Sequence, residues 1–291
     1  MILVIGGRSK IGSALIESLR ERGEAVRALV RAREANAALP AGVEPVVGDL
    51  GTPESLRAAM SGADRVFLLS SPHRDAVQWH RNAIDAARAS GVDLLVRSSI
   101  IGSDRSSPAE FVSAHTQCDQ YLKQAGLDYV ILRPNLFLQN VPESNIPSIG
   151  ADGNLYVNAG DARISMVDTR DVAAVASVVL TEGGHAGAHY DLTGPEALSY
   201  NDVASKLSAV LGREISYVDV PDDAVRDSLV GLGLDRWFAN ALVGLYQDYR
   251  RSGTGGYASV VTDTVERVTG VRPRSLDGLL SESEQSAAKP A

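Results

Sequence analysis

Length, composition and charge exclude several classes of protein before any motif is considered. The chain has 291 residues, 44% of them hydrophobic and 27 of them glycine, so it is not disordered throughout. Its single cysteine, Cys118, excludes an intrachain disulfide framework and favours a reducing cytoplasm. The net charge of −8 argues against nucleic-acid binding through basic patches, and the apolar runs are shorter than a membrane span of about 20 residues.

The first half of the chain alternates short apolar runs with helical stretches. Ile2–Ile5 is a β-branched run that ends in glycines, and residues 11–19 follow with apolar side chains at helical spacing. Further strands are predicted at 25–30, 43–47, 65–69, 94–97 and 129–132, with a helical stretch at 56–60. Uninterrupted strand runs joined by helices are typical of a parallel sheet covered on both faces. We therefore predict an α/β fold, a Rossmann-type doubly wound parallel sheet, over residues 1–140.

The second half is less regular and predicts a smaller, partly helical C-terminal substrate lobe over most of 141–280. Residues 140–153 are expected to form a loop, 164–167 and 190–192 short strands, and 171–180 a helix. Ser199 and Asp202 open a helix that ends at Leu211, and residues 222–250 are helical. Segments from 160–195 are expected to complete the sheet domain. The small, polar residues 281–291 are predicted to be a disordered tail.

A glycine-rich segment directly follows the first strand and opens the first helix. In this position glycines let the backbone approach a dinucleotide pyrophosphate, and the helix N-terminus favours its negative charge. A P-loop is excluded because Lys10 is followed by Ile11 and not by Ser or Thr. The residues predicted to hold the pyrophosphate are Gly6, Gly7, Arg8, Ser9, Lys10, Ile11 and Gly12.

The end of the second strand favours NADP(H) over NAD(H). NAD sites place an acidic residue there for the ribose 2′-hydroxyl, whereas NADP sites place an arginine for the 2′-phosphate. Here Arg31 follows the strand, with Arg33 two residues later and no acid at the strand end. Arg31 is therefore predicted to pair with the 2′-phosphate, with Arg8 and Lys10 within reach of the same group.

Several short segments, spread along nearly the whole chain, match the sequence pattern of one protein family. They are the glycine loop, residues 26–31, 48–50, 132–135, 165–173, 190–195 and 269–273. Together they resemble the NmrA-like atypical short-chain dehydrogenase/reductase family, whose members include NADPH-dependent quinone and dye reductases and NADP-binding redox sensors. The sequence departs from the family's pattern at Ser9, where glycine is usual.

The resemblance implies contacts to the cofactor beyond the glycine loop. Asp49 and Leu50 are expected to flank the adenine. The end of the fourth strand is expected to line the adjoining ribose with Leu69, Ser70 and Ser71. The nicotinamide is expected to be bordered by Pro134, Asn135, Leu136 and Phe137.

The catalytic Tyr-x-x-x-Lys pair of the wider superfamily is absent, because no tyrosine of the chain has a lysine four residues later. Phe111 occupies the tyrosine position and His115 the lysine position, with Asp119 one helical turn further on. His115 is the candidate acid, oriented by Asp119, or a ligand of the nicotinamide ribose. Ser98 and Ser99 occupy the usual serine position, where they contact a ligand or cap the strand end.

These residues predict an NADPH-dependent reductase that transfers a hydride to a quinone-like or other conjugated small molecule. Two alternatives stay open, namely an NADP(H)-binding redox-sensing regulator without turnover and a non-redox biosynthetic enzyme on the same fold. The expected partner is an aromatic or quinone-like small molecule, a homodimer is allowed, and no metal, nucleic-acid or membrane site is predicted. Four aromatic residues at near-helical spacing form either core packing or a lid over an aromatic ligand: Trp237, Phe238, Tyr246 and Tyr249.

Overall fold

The computed structural model describes residues 1–31, 39–145, 149 and 152–287. Its main feature is a seven-stranded sheet with the strand order β3-β2-β1-β4-β5-β6-β8. The pairs from β3 to β6 in this order are parallel. The strands are β1 (Ile2–Ile5), β2 (Val26–Val30), β3 (Glu44–Val47), β4 (Arg65–Leu68), β5 (Leu94–Ser98), β6 (Asp128–Pro134) and β8 (His189–Leu192). The predicted doubly wound sheet is confirmed, since its order reverses between β1 and β4.

Helices follow most of these strands and cover the sheet. They are α1 (Lys10–Glu21), α2 (Pro53–Met60), α3 (Ala76–Ala89), α4 (Glu110–Lys123) and α5 (Thr169–Thr181). Apolar side chains of the strands pack with those of α2, α3 and α4, among them Ile5, Leu56, Ile84 and Leu122. Helix α1 packs against α5, where the Ser18 hydroxyl donates to Ser177 Oγ at 2.9 Å. The strands thus end in loops that project from a rigid apolar core.

The chain divides into two compact units. The sheet unit comprises Met1–Arg105, Ser113–Arg133 and Thr169–Asp191. The helical unit comprises Ser106–Val112, Pro134–Asp168 and the described residues from Leu192 onward. Residues 106–112 and 134–140 therefore fall in the helical unit, although the sequence placed them in the sheet domain.

The helical unit contains a two-stranded parallel sheet and several helices. The strands are β7 (Asn154–Val157) and β9 (Ser216–Asp219), and the helices are α6 (Tyr200–Leu211), α7 (Asp222–Gly231), α8 (Arg236–Ser252), α9 (Thr264–Thr269) and α10 (Leu276–Ala287). Ser199 and Asp202 form a capping box at the start of α6, as their spacing predicts. Residues 164–167 form isolated bridges and not the predicted strand, and Val141–Asn145 forms a π-helical turn within the predicted loop.

The prediction that disorder begins at residue 281 is wrong for residues 281–287, which continue helix α10. Leu276 and Leu280 of this helix are buried, and the apolar contacts at its start extend the helix into a polar sequence. Residues 288–291 lie outside the described part of the chain. Among the described residues, no helix is both long enough and apolar enough to cross a membrane.

Candidate cofactor and active site

The glycine loop lies where the strand order reverses, at the carboxyl ends of β1 and β4. Gly6 has a φ of +86°, and a Cβ atom there would lie 2.6 Å from the carbonyl oxygen of Leu69. A Cβ atom on Gly12 would lie 2.7 Å from Gly7 Cα and closer still to the Gly6 carbonyl oxygen. Only glycine lets the loop, the first turn of α1 and the end of β4 approach so closely. The loop therefore forms a cradle of backbone groups that fits a pyrophosphate.

The first turn of α1 carries no acidic side chain, so nothing there repels a phosphate. Ser9, the departure from the family's pattern, is the N-cap of the helix and accepts a hydrogen bond from Gly12 N at 3.0 Å. Its Oγ–H is the remaining donor of this side chain. Arg8 and Lys10 are exposed beside it, which places two cationic side chains at the loop.

Arg31 is exposed and directly follows β2, at the same edge of the sheet as the glycine loop. The turn after β3 is held by hydrogen bonds of its own, because Asp49 Oδ1 accepts from Gly51 N at 2.7 Å. The Leu50 carbonyl accepts from Asn82 Nδ2 at 2.9 Å. Arg31, Asp49 and Leu50 thus follow neighbouring strands, as a site for the adenosine end of a dinucleotide requires. Arg33 lies outside the described residues.

A buried polar network lies in the sheet unit between β5, α3 and α4. Its centre is Arg97 of β5, whose side chain is 1% exposed. Arg97 Nε donates to His80 Nδ1 at 2.9 Å, Nη2 donates to His115 Nδ1 at 2.9 Å, and Nη1 donates to Asp119 Oδ1. His80 Nε2 lies 2.9 Å from Ser70 Oγ at the end of β4. The network therefore connects two of the predicted site residues, Ser70 and His115.

Electrostatics keep both histidines of this network neutral. Burial, reinforced by the positive charge of Arg97, holds the pKa of His115 well below its usual range. Burial also holds the pKa of His80 well below its usual range, and the positive charge of Arg97 lowers it further. Cys118, also on α4, is buried, and this burial raises the pKa of its thiol.

The prediction that Asp119 orients His115 directly is corrected by the structure. Asp119 Oδ1 accepts from Arg97, while Oδ2 accepts from Ser103 Oγ at 2.6 Å and from Ser99 Oγ at 2.8 Å. His115 and Asp119 share a helix face, but the Arg97 guanidinium bonds to both of them. Ser99 supports the carboxylate, and Ser98 is buried at the end of β5. A role for Ser98 toward the cofactor stays a prediction.

The predicted nicotinamide segment begins in the helical unit with buried Pro134. Asn135 is buried, and its Nδ2 donates to Ser165 Oγ at 2.9 Å and to the Ala258 carbonyl at 2.8 Å. Its Oδ1 accepts from Leu136 N at 2.8 Å. The Asn135 amide thus holds the segment in shape, while Leu136 and Phe137 are partly exposed.

Three aromatic rings of the helical unit form a cluster. The Phe111 ring centroid lies 5.9 Å from that of Trp237 and 5.8 Å from that of Phe238. All three side chains are partly exposed, and Trp237 Nε1 donates to Glu110 Oε1. Tyr246 and Tyr249, in contrast, are buried in the core of the unit. Core packing is therefore confirmed for Tyr246 and Tyr249, while a lid role for Trp237 and Phe238 stays a prediction.

Sequence reasoning missed Arg97, His80 and Ser103. A signal for Arg97 was present, because an arginine inside the apolar run 94–97 must be paired when it is buried. Nothing local in the sequence identifies its partners, since they come from α3 and α4. His80 and Ser103 are recognised only once the sheet brings these elements together.

Comparison with known proteins agrees with this geometry. The sequence model of the NAD(P)H-binding family matches residues 6–183. The chain is 36% identical to NAD(P)H azoreductase of Xenophilus azovorans over 274 residues, and this alignment covers 93% of each chain. Its fold matches the NADPH complex of an NADPH-dependent quinone oxidoreductase from Escherichia coli with a TM-score of 0.88 and 26% identity, over 98% of this chain and 100% of the other.

A third match is the NADP(H) complex of Citrobacter sp. triphenylmethane reductase. Its TM-score is 0.85 with 25% identity, over 97% of this chain and 99% of the other. The resemblance to the NmrA-like reductases, first inferred from short motifs, is confirmed by these matches. The chain belongs to the NAD(P)H-binding family.

Proposed function

We propose that the protein is an NADPH-dependent reductase that transfers a hydride to a quinone-like or otherwise conjugated small molecule. The observation that carries this proposal is the glycine cradle at the switch point of the sheet, with Arg31 at the end of the next strand. The 36% identity with an NAD(P)H azoreductase supports the same reaction class. The TM-score of 0.88 with an NADPH-dependent quinone oxidoreductase supports it as well.

The residues predicted to contact the cofactor bind and orient it. Bound NADPH supplies a hydride from its nicotinamide C4, and a quinone that takes up this hydride and one proton becomes a hydroquinone. The glycine loop and the first turn of α1 hold the pyrophosphate through backbone N–H groups. Arg31 pairs with the 2′-phosphate, and the turn at Asp49 and Leu50 flanks the adenine. The remaining predicted contacts are Leu69, Ser70, Ser71 and Ser98 along the ribose, and Pro134, Asn135, Leu136 and Phe137 at the nicotinamide.

The class of acceptor is inferred from the absence of the Tyr-x-x-x-Lys pair, which in the wider superfamily passes a proton to the substrate. Phe111 stands where the superfamily places its catalytic tyrosine, and a phenyl ring transfers no proton. A quinone accepts hydride with less help from an acid than a ketone does, because the charge spreads over its conjugated system. The partly exposed rings of Phe111, Trp237 and Phe238 offer flat apolar surface for such a molecule.

Anaerobic assays at 340 nm with NADPH test this function. The acceptors are a benzoquinone, an azo dye and an aliphatic ketone. We expect the first two to be reduced and the ketone not to be. Reduction of the ketone at a comparable kcat/KM would contradict the acceptor class. Tight NADPH binding without turnover on any acceptor would favour the second candidate.

That second candidate is an NADP(H)-binding regulator that senses redox state without turnover. The presence of Phe111 in the tyrosine position favours it, because the usual proton relay is missing. A regulator of this kind is expected to bind NADPH and NADP⁺ with different affinities and to consume neither. For either function we place the protein in the cytoplasm, where its one cysteine stays reduced.

A further inference from the structure

The hydrogen bonds around Arg97 have a fixed direction. A guanidinium group only donates, so each atom that it contacts must accept. His80 Nδ1 and His115 Nδ1, both 2.9 Å from Arg97 nitrogens, are therefore unprotonated. A neutral imidazole with an unprotonated Nδ1 carries its proton on Nε2. Both rings are thus neutral, with Nε2–H as their donor.

We propose that Arg97 is a positioning residue that sets the direction of the hydrogen bonds offered to a bound ligand at Ser70 and His115. At one end, His80 Nε2–H donates to Ser70 Oγ, which leaves the Ser70 hydroxyl to donate outward. At the other end, His115 offers its Nε2–H. The matching ligand groups are acceptors, such as a hydroxyl or carbonyl oxygen. This inference rests on the proposed function in one respect, that the ligand is NADPH or its acceptor.

Charge balance supports this assignment. The network holds one cation, Arg97, and one anion, Asp119, with 1% and 2% of their side chains exposed. Hydroxyls of Ser99 and Ser103 hold the carboxylate in place. A proton added to either histidine creates a second buried cation without a counter-ion and removes an acceptor from Arg97. The geometry thus favours two neutral rings over a proton donor.

The role of His115 changes accordingly. A neutral imidazole whose Nδ1 accepts from Arg97 is a poor source of a proton, because its Nε2–H is released only to form an imidazolate. Among the described residues, His115 Nε2 has no hydrogen-bond partner, and the side chain is partly exposed. His115 therefore acts as a hydrogen-bond donor and not as the acid first predicted. The proton that completes acceptor reduction comes from solvent.

Nitrogen-15 NMR of the imidazoles in the full chain tests the assignment without any need for activity. Signals are assigned by comparison with His80→Gln and His115→Gln. We expect both rings to carry one proton, on Nε2, throughout pH 6 to 8. Within the described sheet unit, Arg97 bonds to both rings, His115 also acts on the pKa of His80, and Asp119 and Cys118 lie close to Arg97. A proton on Nδ1 of either ring, or a doubly protonated ring at pH 7, would overturn the proposal.

The double variant Arg97→Met with Asp119→Asn removes the donor and its counter-ion together, so that no lone buried charge remains. We expect the His115 proton to distribute over both ring nitrogens in this variant. An unchanged Nε2–H tautomer would show that Arg97 does not set it. If the variant does not fold, the wild-type spectrum alone still decides whether the tautomer is the one proposed.

Kinetic measurements distinguish a hydrogen-bond donor from a general acid at His115. We expect His115→Leu to lower kcat/KM with NADPH and a quinone about tenfold, the cost of about one hydrogen bond. His115→Gln keeps an N–H donor and is expected to recover part of that loss. Equal losses in both variants, with kcat falling above a single pKa in the wild type, would overturn the donor role. If the wild type turns over no acceptor, the proposed function fails, and the same comparison is made on the Kd of NADPH.

Discussion

Replacing Gly12 by alanine is expected to weaken NADPH binding strongly while leaving the fold intact. Gly12 lies in the first turn of α1, and an added Cβ atom would lie 2.7 Å from Gly7 Cα and 2.8 Å from the Gly6 carbonyl carbon. These neighbours are backbone atoms, which cannot rotate away as a flexible side chain can. The loop must therefore retreat from the helix by about 1 Å to reach an ordinary contact distance.

The expected magnitude follows from what the loop holds. A hydrogen bond from a backbone N–H to a phosphate is worth about 1.5–3 kcal/mol, so the loss of one such bond raises the Kd of NADPH about 10- to 100-fold. Crowding in a packed region costs about 1–3 kcal/mol of stability. The helix propensity of alanine offsets about 1 kcal/mol of that cost. We thus expect a large change in affinity and a small change in stability.

The assay is isothermal titration of NADPH, with thermal denaturation of the same samples. Gly244→Ala is the matched control, because Gly244 also lies inside a helix, α8, and a Cβ atom there meets nothing within 4 Å. We expect this control to bind NADPH like the wild type and to unfold at an equal or higher temperature. Unchanged NADPH affinity in Gly12→Ala would refute the assignment of the loop as a pyrophosphate cradle.

Three further outcomes follow from the same structure. Arg31→Gln is expected to raise the Kd of NADPH about tenfold or more and to leave that of NADH unchanged, and equal losses would rule out pairing with the 2′-phosphate. Asp119→Asn leaves Arg97 buried without a counter-ion and should lower the free energy of unfolding in urea by about 3–5 kcal/mol; a loss below 1 kcal/mol would contradict that buried pair. Because the folded pKa values of His80 and His115 are lowered, the unfolded chain binds protons first as the pH falls through about 6.5. The free energy of unfolding is therefore highest above that pH and decreases below it, by up to about 1.4 kcal/mol per pH unit for each histidine. His115→Gln should reduce this slope in urea titrations between pH 7 and 5, and an unchanged slope would speak against the lowered pKa of His115.

The parts of the fold that were predicted from sequence are those encoded by local pattern. The β1–α1–β2 unit was predicted because apolar runs of strand length alternate with helical spacing and a glycine turn. The cap at Ser199 and Asp202 is equally local. Helix α10 was not predicted, because polar composition alone does not reveal that Leu276 and Leu280 are buried.

The buried network shows where sequence reasoning stops. Helical spacing correctly placed His115 and Asp119 on one face of α4, from which a direct interaction was predicted. The structure adds a third side chain, Arg97 of β5, which bonds to both. Such a partner depends on the packing of a strand against a helix, and a single sequence does not reveal which strand packs against which helix. The role of His115 changed for this reason, while its position was predicted.

Anaerobic single-turnover mixing separates a reductase from a sensor most directly. The protein is loaded with one equivalent of NADPH and mixed with excess benzoquinone, and absorbance at 340 nm is followed. We predict complete loss of the bound NADPH signal, with one hydroquinone formed per NADPH, faster than in the same mixture without protein. NADPH that stays bound and reduced in the presence of the quinone, and equally with an azo dye, would contradict hydride transfer as the function.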